Sequence, residues 1–159
     1  MLDKRNFYIN GKWVSPSKPN NFEVIDPSTE EPFAIISLGS IEDTDKAISA
    51  AKNAFETWRE SSKEKRLSLL EKFDQIYNRR WDEMVKAQST EMGAPLDYAS
   101  ETHTKMGADI SKNTIKILKD FNFEHQFDSK SNNYIRYEPI GVCGLITPWN
   151  FPMNQIVLK

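Results

Sequence analysis

The sequence of 159 residues has one cysteine, two histidines and only six glycines. A lone thiol, Cys143, cannot close an internal disulfide, which suits a reducing compartment. His103 and His125 stand isolated among polar residues and are expected to be exposed. No clustered set of Cys, His and carboxylates argues for zinc or iron. None of the glycines forms a G-x-G-x-x-G phosphate-binding fingerprint; Gly141 and Gly144 alone are too few. An excess of charge of either sign is also missing, with 21 basic against 23 acidic residues and a net charge of -2. That balance gives no reason to expect nucleic acid or an anionic membrane as partner. The longest apolar stretch, Ile140 to Ile146, contains two of the glycines and falls far short of the ~20 residues that span a bilayer. The opening residues Met1 to Asn6 carry mixed charges with no apolar run behind them, unlike a secretory signal. A soluble, cytoplasmic protein is expected.

What is present divides into three stretches. Phe7-Tyr8-Ile9-Asn10-Gly11-Lys12-Trp13-Val14 reads as a β-hairpin, because Asn-Gly tolerates the positive φ that a type I′ turn needs at both central positions. A second strand, about Phe22 to Ile25, closes on the turn-forming Asp26-Pro27-Ser28-Thr29, and Phe33 to Ile36 reads as another. The middle is helical. Ser40 with Asp43 forms a capping box ahead of the stripe Ala47, Ile48, Ala51, Ala54, Phe55 and Trp58. A second box, Ser61 to Glu64, precedes Leu67, Leu70, Phe73, Ile76 and Tyr77. The run Ser61 to Arg66 is otherwise a solvated helix start. Trp81, Met84, Val85 and Gln88 mark a third helix, which stops at Met92-Gly93-Ala94-Pro95. A fourth is expected from about Leu96 to Leu118. Phe121 to Asn133 is polar and unperiodic, Tyr134 to Tyr137 alternates like an exposed strand, and Val142 to Ile146 fits a buried parallel strand. Helices with apolar stripes need a sheet to cover. With an apolar fraction of 38% and no multi-stranded parallel sheet in view, the simplest expectation is a truncated chain.

The chemically informative stretch is Thr147-Pro148-Trp149-Asn150-Phe151-Pro152. The two prolines fix their own φ and bias Thr147 and Phe151 towards extended backbone, so the loop is stiff. It follows the apolar strand directly, which puts Asn150 just beyond a strand's carboxyl end, where open α/β sheets bind ligands. Pro152 suits the first turn of a helix running through Ile156 and Leu158. A strand, a rigid polar loop and a helix start make a cofactor platform; Asn in a proline-flanked turn is also common in ordinary loops.

The segment Glu138 to Pro152 resembles the signature strand and loop of the aldehyde dehydrogenase superfamily. The likeness runs colinearly through Phe7 to Trp13, Val24 to Thr29, the Ala47 to Trp58 helix and Glu91 to Pro95. The Pro-Trp-Asn loop is its most specific part. The resemblance implies an α/β fold: the amino-terminal part of the aldehyde dehydrogenase fold, with hairpin, amphipathic helices and the first strand of a Rossmann-like domain, its sheet incomplete. Residues 1–120 would form the hairpin and helices of the cofactor-binding domain, 121–138 a bridging oligomerisation strand, and 139–159 the start of the cofactor-binding core.

It further implies NAD or NADP as cofactor, an aldehyde substrate and a homo-oligomer, dimer or tetramer, for the full-length parent. Asn150 would donate its amide to the oxyanion formed when a cysteine adds to the aldehyde. Ile146, Thr147, Pro148 and Trp149 would line the nicotinamide side of the cofactor groove together with Asn150. Lys159 would take a charge-relay or cofactor-orienting role. Carbonyls of Val24 and Ile25 with the carboxylate of Glu91 would hold a monovalent cation, Na+ or K+, oxygen ligation suiting a hard ion. Glu91 also reads as a solvated carboxylate in a helix's last turn. The family's nucleophile and general-base glutamate are expected downstream of Lys159. Cys143, expected to pack inside a core strand with no base beside it, is not that nucleophile. The expectation for the chain alone is therefore no activity, the alternative to a catalytic role being a remnant or a subunit-association piece.

Overall fold

The computed structural model describes residues 1–159. Its hairpin forms where Asn-Gly predicts it: β2 (Phe7–Ile9) pairs antiparallel with β3 (Lys12–Val14), and Asn10 and Gly11 have φ of 52° and 74°. A separate three-stranded sheet has the order β1-β5-β4. In it β5 (Glu31–Ser37) runs parallel to β1 (Leu2–Lys4) and antiparallel to β4 (Asn21–Asp26). The turn between β4 and β5 is held by Asp26, whose carboxylate accepts from Ser28 N at 2.8 Å and Ser28 Oγ at 2.5 Å.

The helical middle follows from its caps. Helix α1 (Ile41–Trp58) starts at Ser40 with both halves of the capping box made. Asp43 also reaches beyond its own helix, accepting from Ser17 N at 2.9 Å and Ser17 Oγ at 2.7 Å. One buried carboxylate thus ties the segment after β3 to the head of α1. Helix α2 (Lys63–Arg79) is capped by Ser62, which accepts from Lys65 N, so the expected box starting at Ser61 is replaced by a single cap one residue later. Helix α3 (Trp81–Met92) ends at Gly93 in the left-handed region, φ 72°. Adding a Cβ to Gly93 would bring it within 2.9 Å of Pro27 Cγ, so α3 closes tightly on the end of β4. The expected helix from Leu96 is one helical run with a change of pitch inside it. α4 (Leu96–Tyr98) passes into a π-helical turn (Ala99–Thr104) and then α5 (Lys105–Asp120).

After α5 the outcome departs from expectation in two places. Part of the polar stretch 121–133 pairs: β6 (Glu124–Gln126) lies antiparallel to β7 (Tyr134–Arg136). Conversely, Val142 to Ile146 is neither a strand nor buried. A strand rich in Val, Leu and Ile needs neighbours on both edges to satisfy its backbone, and β1, β4 and β5 are engaged elsewhere. The segment therefore runs without regular structure, and Cys143 is exposed rather than packed in a core. Helix α6 (Pro152–Leu158) follows, with Pro152 in its first turn as expected.

The sheet is thus incomplete, and so is the core. Only 11 of 159 residues are buried, the hydrophobic ones being Ala34, Tyr77, Ala99 and Ala108. The accessible surface is 11854 Å². A compact monomer of this mass would expose about 8,200 Å². The apolar stripes of the helices remain partly open, as Ile48, Phe73 and Ile117 show. No helix is long and apolar enough to cross a membrane.

Candidate functional site

The residues singled out by sequence fall into two groups. The first lies along the carboxyl-terminal segment. Ile146, Thr147, Pro148, Trp149 and Asn150 are all solvent-facing, and Ile146 and Trp149 are more than 80% exposed. Asn150 sits in the bend that leads into α6, its side chain on the surface rather than buried in packing. Lys159 closes the segment, and its Nζ donates to Gln155 Oε1 at 3.1 Å one turn earlier on α6. Cys143 Sγ makes only a weak contact with Gly141 O at 3.8 Å.

Phe151, between Asn150 and α6, corrects the reading that its proline neighbour would extend it. Its φ and ψ are 59° and 54°, in the left-handed region. That conformation costs an aromatic residue on the order of 1–3 kcal/mol and persists only where surroundings impose it. Here the chain must turn sharply from the irregular segment into α6, and Phe151's ring packs at 4.4 Å from the His103 ring. His103, expected to be exposed, is instead buried at 3% exposure. The π turn that contains it folds against α3 and α6, so a histidine flanked in sequence by Thr102 and Thr104 ends up inside. Burial lowers its pKa below the ordinary 6.5. Its Nδ1 is buried without a hydrogen-bond partner, and Tyr98 flanks the ring edge-on at 4.9 Å.

Behind this lies a polar knot that sequence reasoning missed. Tyr77 of α2 donates its hydroxyl to Thr104 O at 2.8 Å, and Gln88 of α3 donates Nε2 to Thr104 Oγ1 at 2.8 Å. Trp81 Nε1 donates to Ser100 Oγ at 3.0 Å on the same π turn. Burial pushes the Tyr77 phenol up to about 12. Gly107 of α5 lies where a Cβ would stand 2.3 Å from Tyr77 Oη and 3.3 Å from Met153 O of α6. Absence of a side chain there lets α2, α5 and α6 converge, and so seats the helix that carries the Asn150 loop. The available signals were a lone glycine inside a helical pattern and a tyrosine on an apolar stripe. Neither distinguishes a polar knot from plain packing.

The second group is Val24, Ile25 and Glu91. The β4–β5 pairing shifts register between Val24 and Ile25, a bulge, which takes backbone groups out of the regular ladder. Glu91 lies in the last turn of α3, which packs on β4. Although the residue is exposed overall, partial burial of its carboxyl raises its pKa. No three of His, Cys, Asp and Glu gather into a metal-binding set.

Against known proteins, the family model described as Aldehyde dehydrogenase family matches residues 13–159. The chain is 44% identical to a 3-succinoylsemialdehyde-pyridine dehydrogenase from a Pseudomonas species, covering all of this chain and 33% of that protein. It is 42% identical to a putative aldehyde dehydrogenase from Staphylococcus saprophyticus, covering 98% of this chain and 33% of the relative. Among solved structures, an aldehyde dehydrogenase from Bartonella henselae superposes with a TM-score of 0.97 at 51% identity, covering all of this chain and 34% of that one. A mutant aldehyde dehydrogenase from Pseudomonas syringae, complexed with NAD+ and octanal, superposes with a TM-score of 0.91 at 35% identity, covering 96% and 31%. The chain thus spans about a third of the length of the relatives it matches.

Proposed function

The chain belongs to the aldehyde dehydrogenase family, and from that premise we propose that it is the amino-terminal part of an enzyme that oxidises an aldehyde to a carboxylic acid with NAD or NADP. The observation that carries this reading is Asn150, exposed on a proline-flanked loop at the entry to α6. When a thiolate adds to an aldehyde, negative charge collects on the former carbonyl oxygen. A side-chain amide held in place and aimed at that oxygen stabilises the charged state more than the neutral substrate, and so lowers the barrier. The attacking cysteine and the glutamate that activates water belong to the remaining two thirds of a protein of the relatives' length. Cys143 is neither paired with a base nor placed beside Asn150 in sequence.

Ile146 and Trp149, apolar and exposed beside Thr147 and Pro148, would line the nicotinamide side of the cofactor groove. The bound cofactor would accept the hydride there. NAD+ is supported by the neighbour solved with it. Lys159 would orient that cofactor, and Glu91, its carboxyl partly desolvated, would hold Na+ or K+ together with the carbonyls of Val24 and Ile25. Residues 121–138 would bridge to another subunit and residues 139–159 would open the cofactor-binding core. A reducing cytoplasm fits the single free cysteine.

The chain by itself is a second case. Its surface exceeds the compact expectation by roughly 3,600 Å², which favours a subunit-association piece without activity of its own. Purified 159-residue chain, assayed for NAD+ reduction with acetaldehyde or betaine aldehyde, is expected to show none; turnover clearly above the no-enzyme control overturns that. In a protein of the relatives' length carrying this segment, Asn150→Ala is expected to lower kcat by about 10²–10³-fold. An unchanged kcat would remove Asn150 from the mechanism.

A further inference from the structure

Deepening that reading, we propose that His103 is a positioning residue for Asn150. The imidazole lies between Tyr98, 4.9 Å away, and Phe151, 4.4 Å away. Phe151 is the residue whose left-handed backbone turns the chain from Asn150 into α6. A left-handed aromatic residue needs an outside constraint, and His103 supplies the buried ring it leans on. The support is itself rigid. Thr104, next to His103, receives hydrogen bonds from Tyr77 and from Gln88, at 2.8 Å each, so two further helices hold the π turn in place. Asn150 stands one residue from Phe151, and rotating that backbone swings the amide through a wide arc. His103 acts through the bulk of its ring, which packs against Phe151 with Nδ1 making no hydrogen bond, so a flat apolar ring of similar size does the same task.

The test uses the whole 159-residue chain, isotope-labelled and held at a dilution where sedimentation shows no association, with nuclear magnetic relaxation read at the backbone amides of Asn150 and Phe151. In the parent chain both are expected near the rigid backbone order parameter of about 0.85. His103→Ala removes the ring and is expected to bring both below about 0.6, the flexible range, while amides of α1 and α2 keep their values. His103→Phe restores the parent behaviour, which separates ring support from any role of the imidazole as a base or donor. An Asn150 amide already mobile in the parent, an Ala variant that leaves it rigid, or a Phe variant that behaves like Ala each overturns the proposal. Because the readout is local order rather than turnover, failure of the dehydrogenase reading leaves this result standing, and the reverse also holds.

Discussion

Replacing Gly107 by alanine tests the packing that seats α6 against the rest of the chain. In an unencumbered helix interior the change would stabilise by about 1 kcal/mol, because glycine loses more backbone freedom on folding. Here the new methyl would stand 2.3 Å from Tyr77 Oη and 3.0 Å from Tyr77 Cζ, with Met153 O at 3.3 Å on the other side. The tyrosine hydroxyl has to retreat by on the order of 1.1 Å to reach ordinary contact, which begins at 3.4 Å. Its 2.8 Å bond to Thr104 O then stretches beyond the range of a useful hydrogen bond. A buried tyrosine hydroxyl left without its partner costs about 1–3 kcal/mol, and overpacking adds a similar amount. The net expectation is a loss of about 2–3 kcal/mol, despite the better helix former. Tyr77→Phe alone should cost about 1–2 kcal/mol through the same bond. The two changes are coupled: once the hydroxyl is gone, much of the alanine clash goes with it. The double variant should therefore lose less than the sum by about 1–2 kcal/mol. Native-state hydrogen exchange at the amides of α5 reads this locally, without requiring one cooperative transition of the whole chain. A Gly107→Ala chain as well protected as the parent, or a cycle additive within about 0.5 kcal/mol, would refute the reasoning.

Gly93→Ala is expected to cost about 1–2 kcal/mol, since the residue has φ 72° and its Cβ would meet Pro27 Cγ at 2.9 Å; exchange protection of the last turn of α3 should fall, and an unchanged value would show the turn free to relax. Asp43 accepts four hydrogen bonds, from the backbone and side chains of Ser40 and Ser17, and the Ser40 amide above all, with Ser17 next, holds its carboxyl well below the ordinary 3.8. A depressed folded pKa contributes stability that is complete above 3.8 and drains away as pH falls below it, so protection at the Ser17 and Ser40 amides should drop below that pH in the parent and already be low at neutral pH in Asp43→Asn. His103 works with the same sign: burial lowers its pKa from 6.5, the opened state takes up the proton first, and stability of the π turn should decline as pH falls below 6.5; His103→Phe should abolish that slope, and a slope that survives would assign it to another group. The open surface predicts concentration-dependent association, visible by sedimentation; a monodisperse monomer with a sharp cooperative melt would contradict it.

Elements with a local cause were legible from the chain. Asn10-Gly11 dictates the hairpin through its dihedral preferences, Ser40 and Asp43 cap α1 through atoms three residues apart, and Gly93 stops α3 because only glycine takes its conformation cheaply. The helix start at Pro152 was legible for the same reason, as was the family, whereas the strand expected to place Asn150 at its carboxyl end is not formed. The site's supporting parts were not. His103 looks exposed beside its threonines until a π turn presents it to α6. Phe151 looks extended beside its proline until a sharp turn and a neighbouring ring hold it otherwise. Val142 to Ile146 carries every mark of a buried strand, yet a strand exists only if another strand accepts its hydrogen bonds.

Sequence alone determined which short segments turn, cap and stop, because those outcomes depend on dihedral and hydrogen-bond preferences within a few residues. Tertiary structure alone decided that Tyr77, Gln88, Thr104 and Gly107 meet, and that their meeting seats α6 and the asparagine loop. Those contacts join residues far apart in the chain, and no local pattern records which distant surface a side chain will face.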